Sequence, residues 1–183
     1  MRFIIGFLVA IGLLIFVFVL IFRGGGNDTA KQTEKKMIEY ANSSTVVAMT
    51  AEGPVNADQT HREMRITVGA TETTIEVFQG YQQTLLNTKS YPNNSAAYAD
   101  FLRALELNGF SKGNTDKAVA DERGYCATGY RYVMNIKDGE RDIQRFWSSS
   151  CGTGTFKGKT EIIRSLFIAQ VPDYNVQAAA FNR

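Results

Sequence analysis

The sequence predicts an α+β fold: an N-terminal transmembrane helix, then one domain in which two or three helices pack on a mostly antiparallel sheet. Three observations predict it. Residues 3–22 form an unbroken apolar run of 20 residues with no charge, Asn, Gln or Pro. Beyond the run, strand-like and helix-like segments are grouped, without a repeating strand–helix alternation. The chain's two cysteines, Cys126 and Cys151, also flank an Asp138-Gly139 hairpin signal.

A helix rising about 1.5 Å per residue crosses a hydrocarbon core of about 30 Å in about 20 residues, with its backbone hydrogen bonds satisfied internally. A cleaved signal peptide has a shorter apolar region and ends in a small-x-small site. Here Arg23-Gly24-Gly25-Gly26 follows instead, which predicts a retained single-pass signal anchor over residues 1–23. Flanking charge and cysteine chemistry point in opposite directions. Arg23, Lys31, Lys35 and Lys36 outnumber Arg2 and the amino terminus, which favours an inward domain. Long domains translocate regardless of such charge, and a paired set of cysteines favours an oxidising, extracytoplasmic side.

Residues 24–44 read as a glycine joint and a short polar helix, capped by Asp28 or Thr29 and running to about Asn42. The domain proper is expected over residues 45–183. Its first four strands are expected at 45–52, 63–69, 73–78 and 82–90, forming a meander. In the second, Met64, Ile66 and Val68 alternate with Arg65 and Thr67, and the third is rich in β-branched residues. Asn94 or Ser95 then opens a helix in which Tyr98, Phe101, Leu102 and Leu105 fall on one face. Gly109 stops it and Phe110 folds back. Residues 112–124 read as an exposed loop. A last helix, at 159–170, presents Ile163, Leu166 and Phe167 and ends before Pro172.

The hairpin carries the strongest geometric expectation. A two-residue turn at Asp138-Gly139 places opposite one another residues whose numbers total 277, and Cys126 and Cys151 satisfy that condition. The two thiols then face each other across the ladder, close enough for a disulfide. The same register pairs Tyr130 with Trp147, Tyr132 with Arg145, Met134 with Ile143 and Ile136 with Arg141.

Composition excludes some functions. Twenty Lys plus Arg against eighteen Asp plus Glu leave no field to recruit nucleic acid. His61 is the sole histidine, which excludes a histidine-based metal cluster, and nothing in the spacing points to a cofactor. The loop Gly152, Gly154, Gly158, Lys159, Thr160 resembles a phosphate-binding loop between a strand and a helix. It departs from G-x-x-x-x-G-K-[ST], because Thr153 stands where the first glycine belongs. Anion binding by backbone N–H groups near Thr160 stays open. Ser148, Ser149 and Ser150 lack a nucleophile-elbow context, and Asp121, Glu122, Glu140 and Asp142 are acid–base candidates only as members of a mixed charged surface. No catalytic residue emerges. Asn27, Asn42 and Asn93 open sequons that matter only in a eukaryotic source.

The anchor, the stretch Gly124-Tyr125-Cys126, the Gly154-Thr155-Phe156 turn and the closing Val171-Pro172-Asp173-Tyr174 together resemble signal-anchored proteins of small-genome bacteria such as Saccharibacteria. The resemblance implies a bacterial cell-surface setting and no activity, cofactor or catalytic residue. The expected function is therefore a membrane-anchored extracytoplasmic binding or structural module. It would contact the bilayer through residues 3–22 and a protein of the envelope or of a neighbouring surface. Two alternatives are a phosphate-ligand or enzymatic domain at the 152–160 loop and a cytoplasmic membrane-tethered domain.

Overall fold

The computed structural model describes residues 36–182. The apolar run at 3–22, the glycine joint and the start of the expected polar helix lie outside them. Where the described chain begins, Lys36 is extended and a single 3-10 turn, Met37–Tyr40, follows in place of α-helix. Met37 and Tyr40 are both buried. Among the described residues, no helix is long and apolar enough to cross a membrane.

Six strands form one antiparallel sheet in the order β4-β3-β2-β1-β5-β6. They are β1 (Val46–Glu52), β2 (Arg62–Val68), β3 (Glu72–Gln79), β4 (Thr84–Pro92), β5 (Arg131–Asp138) and β6 (Arg141–Ser149). The first four make the expected meander, and the β5–β6 hairpin joins along the free side of β1. The alternation that predicts each strand also assigns its faces. Val47, Met49 and Ala51 of β1, Met64, Ile66 and Val68 of β2, and Ile75 and Val77 of β3 all enter one core. At the β4 edge, a bulge opposite Val77/Phe78, together with Lys89 and Pro92, blunts the open backbone.

Helix α1 (Ser95–Leu107) starts where expected, because the Asn94 side chain accepts from the N–H groups of Ala96 and Ala97 at 3.1 and 3.0 Å. Tyr98, Phe101, Leu102 and Leu105 are its buried residues, and the Tyr98 hydroxyl donates to Thr45 O at 2.9 Å. Gly109 ends it at φ +79, and the Phe110 N–H returns to Leu105 O at 3.1 Å. Helix α2 (Thr160–Ile168) buries Ile163 and Phe167. A third helix, α3 (Tyr174–Gln177), lies against β4, where Asn87 Nδ2 donates to Gln177 Oε1 at 3.0 Å and the Tyr91 hydroxyl donates to Asp173.

The hairpin register corrects the sequence expectation. Asp138 faces Arg141, so the turn is Gly139-Glu140, and only Gly139 takes positive φ, at +59. That is the demand of a type II′ turn, which needs glycine at its first central position. A further irregularity at Ile136/Lys137 completes the slip, so that Tyr132 pairs with Ser148, Met134 with Phe146 and Ile136 with Gln144. The turn moves the pairing by two and keeps the faces, and the irregularity adds one more, which exchanges the faces of β6. Phe146 therefore enters the core, while Trp147 and Arg145 move to the opposite face with Val133 and Asn135.

The disulfide forms nonetheless. Cys126 and Cys151 are bonded with Cα atoms 5.7 Å apart, but they sit in turns beyond the ends of β5 and β6 rather than within the ladder. Cys126 has φ +50, and Gly129 approaches so closely that an added Cβ would lie 2.6 Å from its sulfur. The bond closes a loop with a sequence separation of 25. Replacing both cysteines with serine is expected to lower the unfolding free energy by roughly 2–4 kcal/mol. Urea titration of the oxidised protein against the double variant checks this, and coincident midpoints contradict it.

Candidate functional site

The three α-helices of the described residues lie at or behind one face of the sheet or at its rim, and the central strands turn rows of polar side chains to the other face. Register places Glu63, Glu52, Arg131 and Ser149 side by side across β2, β1, β5 and β6. The next row is Glu76, Arg65, Thr50, Val133 and Trp147, and the next Thr74, Thr67, Ala48, Asn135 and Arg145. Ala48, Thr50 and Thr67 are small and central, whereas their neighbours are long and charged. The result is a depression of about 380 Å³, floored by those three residues and walled by Glu63, Arg65 and Glu76 on one side and Asn135, Lys137 and Arg145 on the other.

Ion pairs organise this surface. Glu52 and Glu63 stand directly opposite each other, an arrangement that like charges disfavour. Each is answered by an arginine: Arg131 Nη2 lies 3.1 Å from Glu52, and Arg65 Nη2 lies 2.7 Å from Glu63. Gln83 Nε2 donates to the second Glu63 oxygen at 2.7 Å, and Arg65 stacks over the Phe78 ring at 5.1 Å. A third pair, Glu122 with Arg145, is brought in by the 116–125 segment. Arg131, Glu63 and Glu122 are only 4%, 6% and 6% exposed. Burying charge is costly even when paired, so these residues do not stabilise the sheet as apolar ones of equal volume would. The side chains of Glu76 and Lys137 line the same depression with no hydrogen bond or ion pair to another described residue.

Burial has a measurable consequence at Glu52. It pushes the carboxyl above the ordinary glutamate range, and the Glu122 and Glu63 charges add to this, against the opposing pull of Arg131. Because the folded-state value lies above the unfolded one, the folded state holds the extra proton. Glu52's contribution to stability accordingly falls as pH rises through that interval. Carboxyl carbon NMR is expected to place the Glu52 midpoint above that of an unfolded glutamate, and a midpoint below it contradicts the burial argument.

Residues 112–124, expected as an exposed loop, are mostly exposed, but the 116–125 stretch also covers one end of this face. Its 3-10 turn Lys117–Val119 is capped by Asp116. Trp147 Nε1 donates to Val119 O at 2.9 Å, Arg145 donates to Ala120 O at 2.9 Å, and Tyr125 packs on Trp147 at 4.9 Å.

The structure distributes the sequence candidates as follows. In the 152–160 loop, the N–H groups of Gly152, Thr153, Phe156, Lys157 and Lys159 all donate within the protein, to Ser149 O, Ser149 Oγ, Trp147 O, Lys112 O and Asn108 O. A Cβ at Gly154 would lie 2.4 Å from Trp147 O, and one at Gly158 would lie 2.5 Å from Gly109 O. Both glycines thus serve close backbone approach, and the Thr160 hydroxyl donates to Ser148 Oγ at 3.2 Å. Ser149 bonds Thr153, and Ser150 Oγ accepts from the Tyr130 N–H at 2.9 Å. His61 is buried, with Nδ1 3.2 Å from Pro54 O and its ring stacked on Tyr81 at 4.2 Å. Asp121 is gripped by Arg123, whose hydrogen bonds hold its carboxyl well below the usual range.

Of the four acid–base candidates, Glu122 and Asp142 come to the polar depression, where Asp142 accepts from Asn135 Nδ2 at 2.9 Å. Asp121 and Glu140 do not line it. Sequence reasoning passed over Glu52, Glu63, Arg65 and Arg131 as site residues. The available signal was the charge at alternate positions of β2, which marks the strand's second face as polar and partnered. Among the described residues, no three of His, Cys, Asp and Glu group to hold a metal ion.

No family model matches the chain, and no curated protein is significantly similar to it.

Proposed function

We propose that the protein is a membrane-anchored extracytoplasmic binding module that engages a polar segment of another envelope or surface protein on the open face of its sheet. The observation carrying this reading is the set of ion pairs, each with one buried partner (Glu63, Glu122 or Arg131), around the Ala48, Thr50 and Thr67 floor. They sit on a face that no α-helix among the described residues covers, at an energetic cost that a purely structural sheet would avoid. Both walls of the depression carry mixed charge, Glu63, Arg65 and Glu76 on one and Glu122, Lys137, Asp142 and Arg145 on the other, which suits a hydrogen-bonding partner of mixed charge rather than a simple anion or cation. The apolar run at 3–22 supplies the anchor, and the Cys126–Cys151 bond supports an oxidising compartment.

Site-specific photocrosslinking in living cells tests the binding face. Thr67→p-benzoylphenylalanine or Lys137→p-benzoylphenylalanine in the full chain is expected to give a discrete crosslinked species. The same substitution at Arg103, on the exposed side of α1, is expected to give none. Equal products from all three positions, or none from any, overturn the assignment of this face.

A further inference from the structure

On the helix side of the sheet, near the disulfide end, lies a second cavity of about 230 Å³. Its floor includes Met49 and Met64, each 2% exposed or less, and Tyr132, Tyr174 and Phe181 contribute its rings. Among the described residues, a single charged side chain lines it: Arg164 of α2, whose guanidinium carbon lies 4.2 Å from the centre of the Tyr132 ring. Arg164 Nη1 donates to Glu161 at 2.7 Å. No hydrogen bond to another described residue engages Nε or Nη2. The planar fork therefore keeps an edge for a second acceptor, and the cation–π stack fixes its plane.

We propose that this cleft binds a small carboxylate with an apolar or aromatic body, the acid taken by the free edge of Arg164 and the body by the methionine floor. A guanidinium fork matches a carboxylate in two parallel hydrogen bonds. A phosphate fits less well, because one arginine already shared with Glu161 cannot offset a second negative charge. The volume lies below the range of about 300–1,000 Å³ typical of drug-sized ligands, which limits the occupant to a small acid or one terminal side chain. Burial also pushes the hydroxyls of Tyr132 and Tyr174 up, so both stay protonated beside the acid at neutral pH. This site goes beyond the polar face and does not depend on it.

Glu161 supplies the discriminating test. Its side chain is 79% exposed, so it competes for Arg164 only loosely. The full chain in detergent micelles, labelled at its methionine methyls, would be titrated with 3-phenylpropionate and with the uncharged 3-phenylpropionamide. The acid is expected to shift Met49 and Met64 and leave Met37 unmoved, with the amide at least about tenfold weaker. Glu161→Gln is expected to tighten the acid roughly twofold to fivefold. Arg164→Gln is expected to weaken it about tenfold or more. If the tripeptide Ala-Ala-Phe binds more tightly than 3-phenylpropionate, the acid is a chain terminus. If it binds equally or less tightly, the acid is a free small molecule. Equal binding of acid and amide, no shift at Met49 and Met64, or an affinity untouched by Glu161→Gln overturns the proposal. The Glu161 arm holds even if Arg164→Gln fails to fold.

Discussion

Arg131→Met is expected to lower the unfolding free energy by about 3 kcal/mol, the cost of leaving the largely buried Glu52 carboxylate without its counter-ion. Arg131 is 4% exposed and stands beside Glu52, which itself faces Glu63 across the β1–β2 ladder. Removing the arginine leaves two opposed carboxylates with one cation between them. The double variant Glu52→Leu with Arg131→Met removes both charges and is expected to recover most of that loss, because a matched apolar pair avoids the desolvation penalty. Trp147, the sole tryptophan and 2% exposed, reports unfolding in urea. A double variant no more stable than the single one would mean that the pair does more for the fold than its cost predicts. Its recovery would show a charge arrangement kept for something other than stability.

Phe167→Ala is expected to cost a comparable amount, about 3–5 kcal/mol, by a different mechanism. Its ring is fully buried in α2, edge-on to Phe101 of α1 at 5.2 Å and tilted against Phe110 at 5.9 Å. Truncation loses the transfer energy of the ring and leaves a cavity between two helices that the sheet keeps from closing. Denaturant unfolding with an unchanged urea slope and a lowered midpoint is the expected record. A loss below about 1 kcal/mol would mean that α2 relaxes into the space and that the helix layer is looser than its packing shows.

Period and spacing made much of this architecture legible. Met64, Ile66 and Val68 alternate with polar residues, and Tyr98, Phe101, Leu102 and Leu105 repeat at helical spacing, so β2 and α1 could be read from local sequence. The cysteine pairing was also legible, though for an incomplete reason. Asp138-Gly139 and Gly139-Glu140 both admit a turn, and only the backbone decides between them. That choice alone moves the pairing by two and keeps the faces, but the irregularity at Ile136/Lys137 adds one more and sends Trp147 and Arg145 to the opposite face, so the residues around the polar depression could not be assigned from the hairpin alone.

The site was less legible because it is not local. Glu52 meets Arg131 only because β5 lies beside β1, and no pattern in either segment announces that neighbour. Glu122 reaches Arg145 from a stretch without periodicity. The four-residue α3 is too short for a helical repeat to show. Conversely, the glycines of the 152–160 loop carry a motif-like spacing that the structure accounts for by close packing against Trp147 O and Gly109 O.

The claim that the folded domain stands outside the membrane, clasped by its cysteines, is tested most directly by labelling with a membrane-impermeant maleimide on intact cells, before and after an impermeant reductant. The expected result is no reaction at Cys126 or Cys151 until reductant is added, and reaction at both afterwards. Thiols that react only once the cells are broken open would contradict the account.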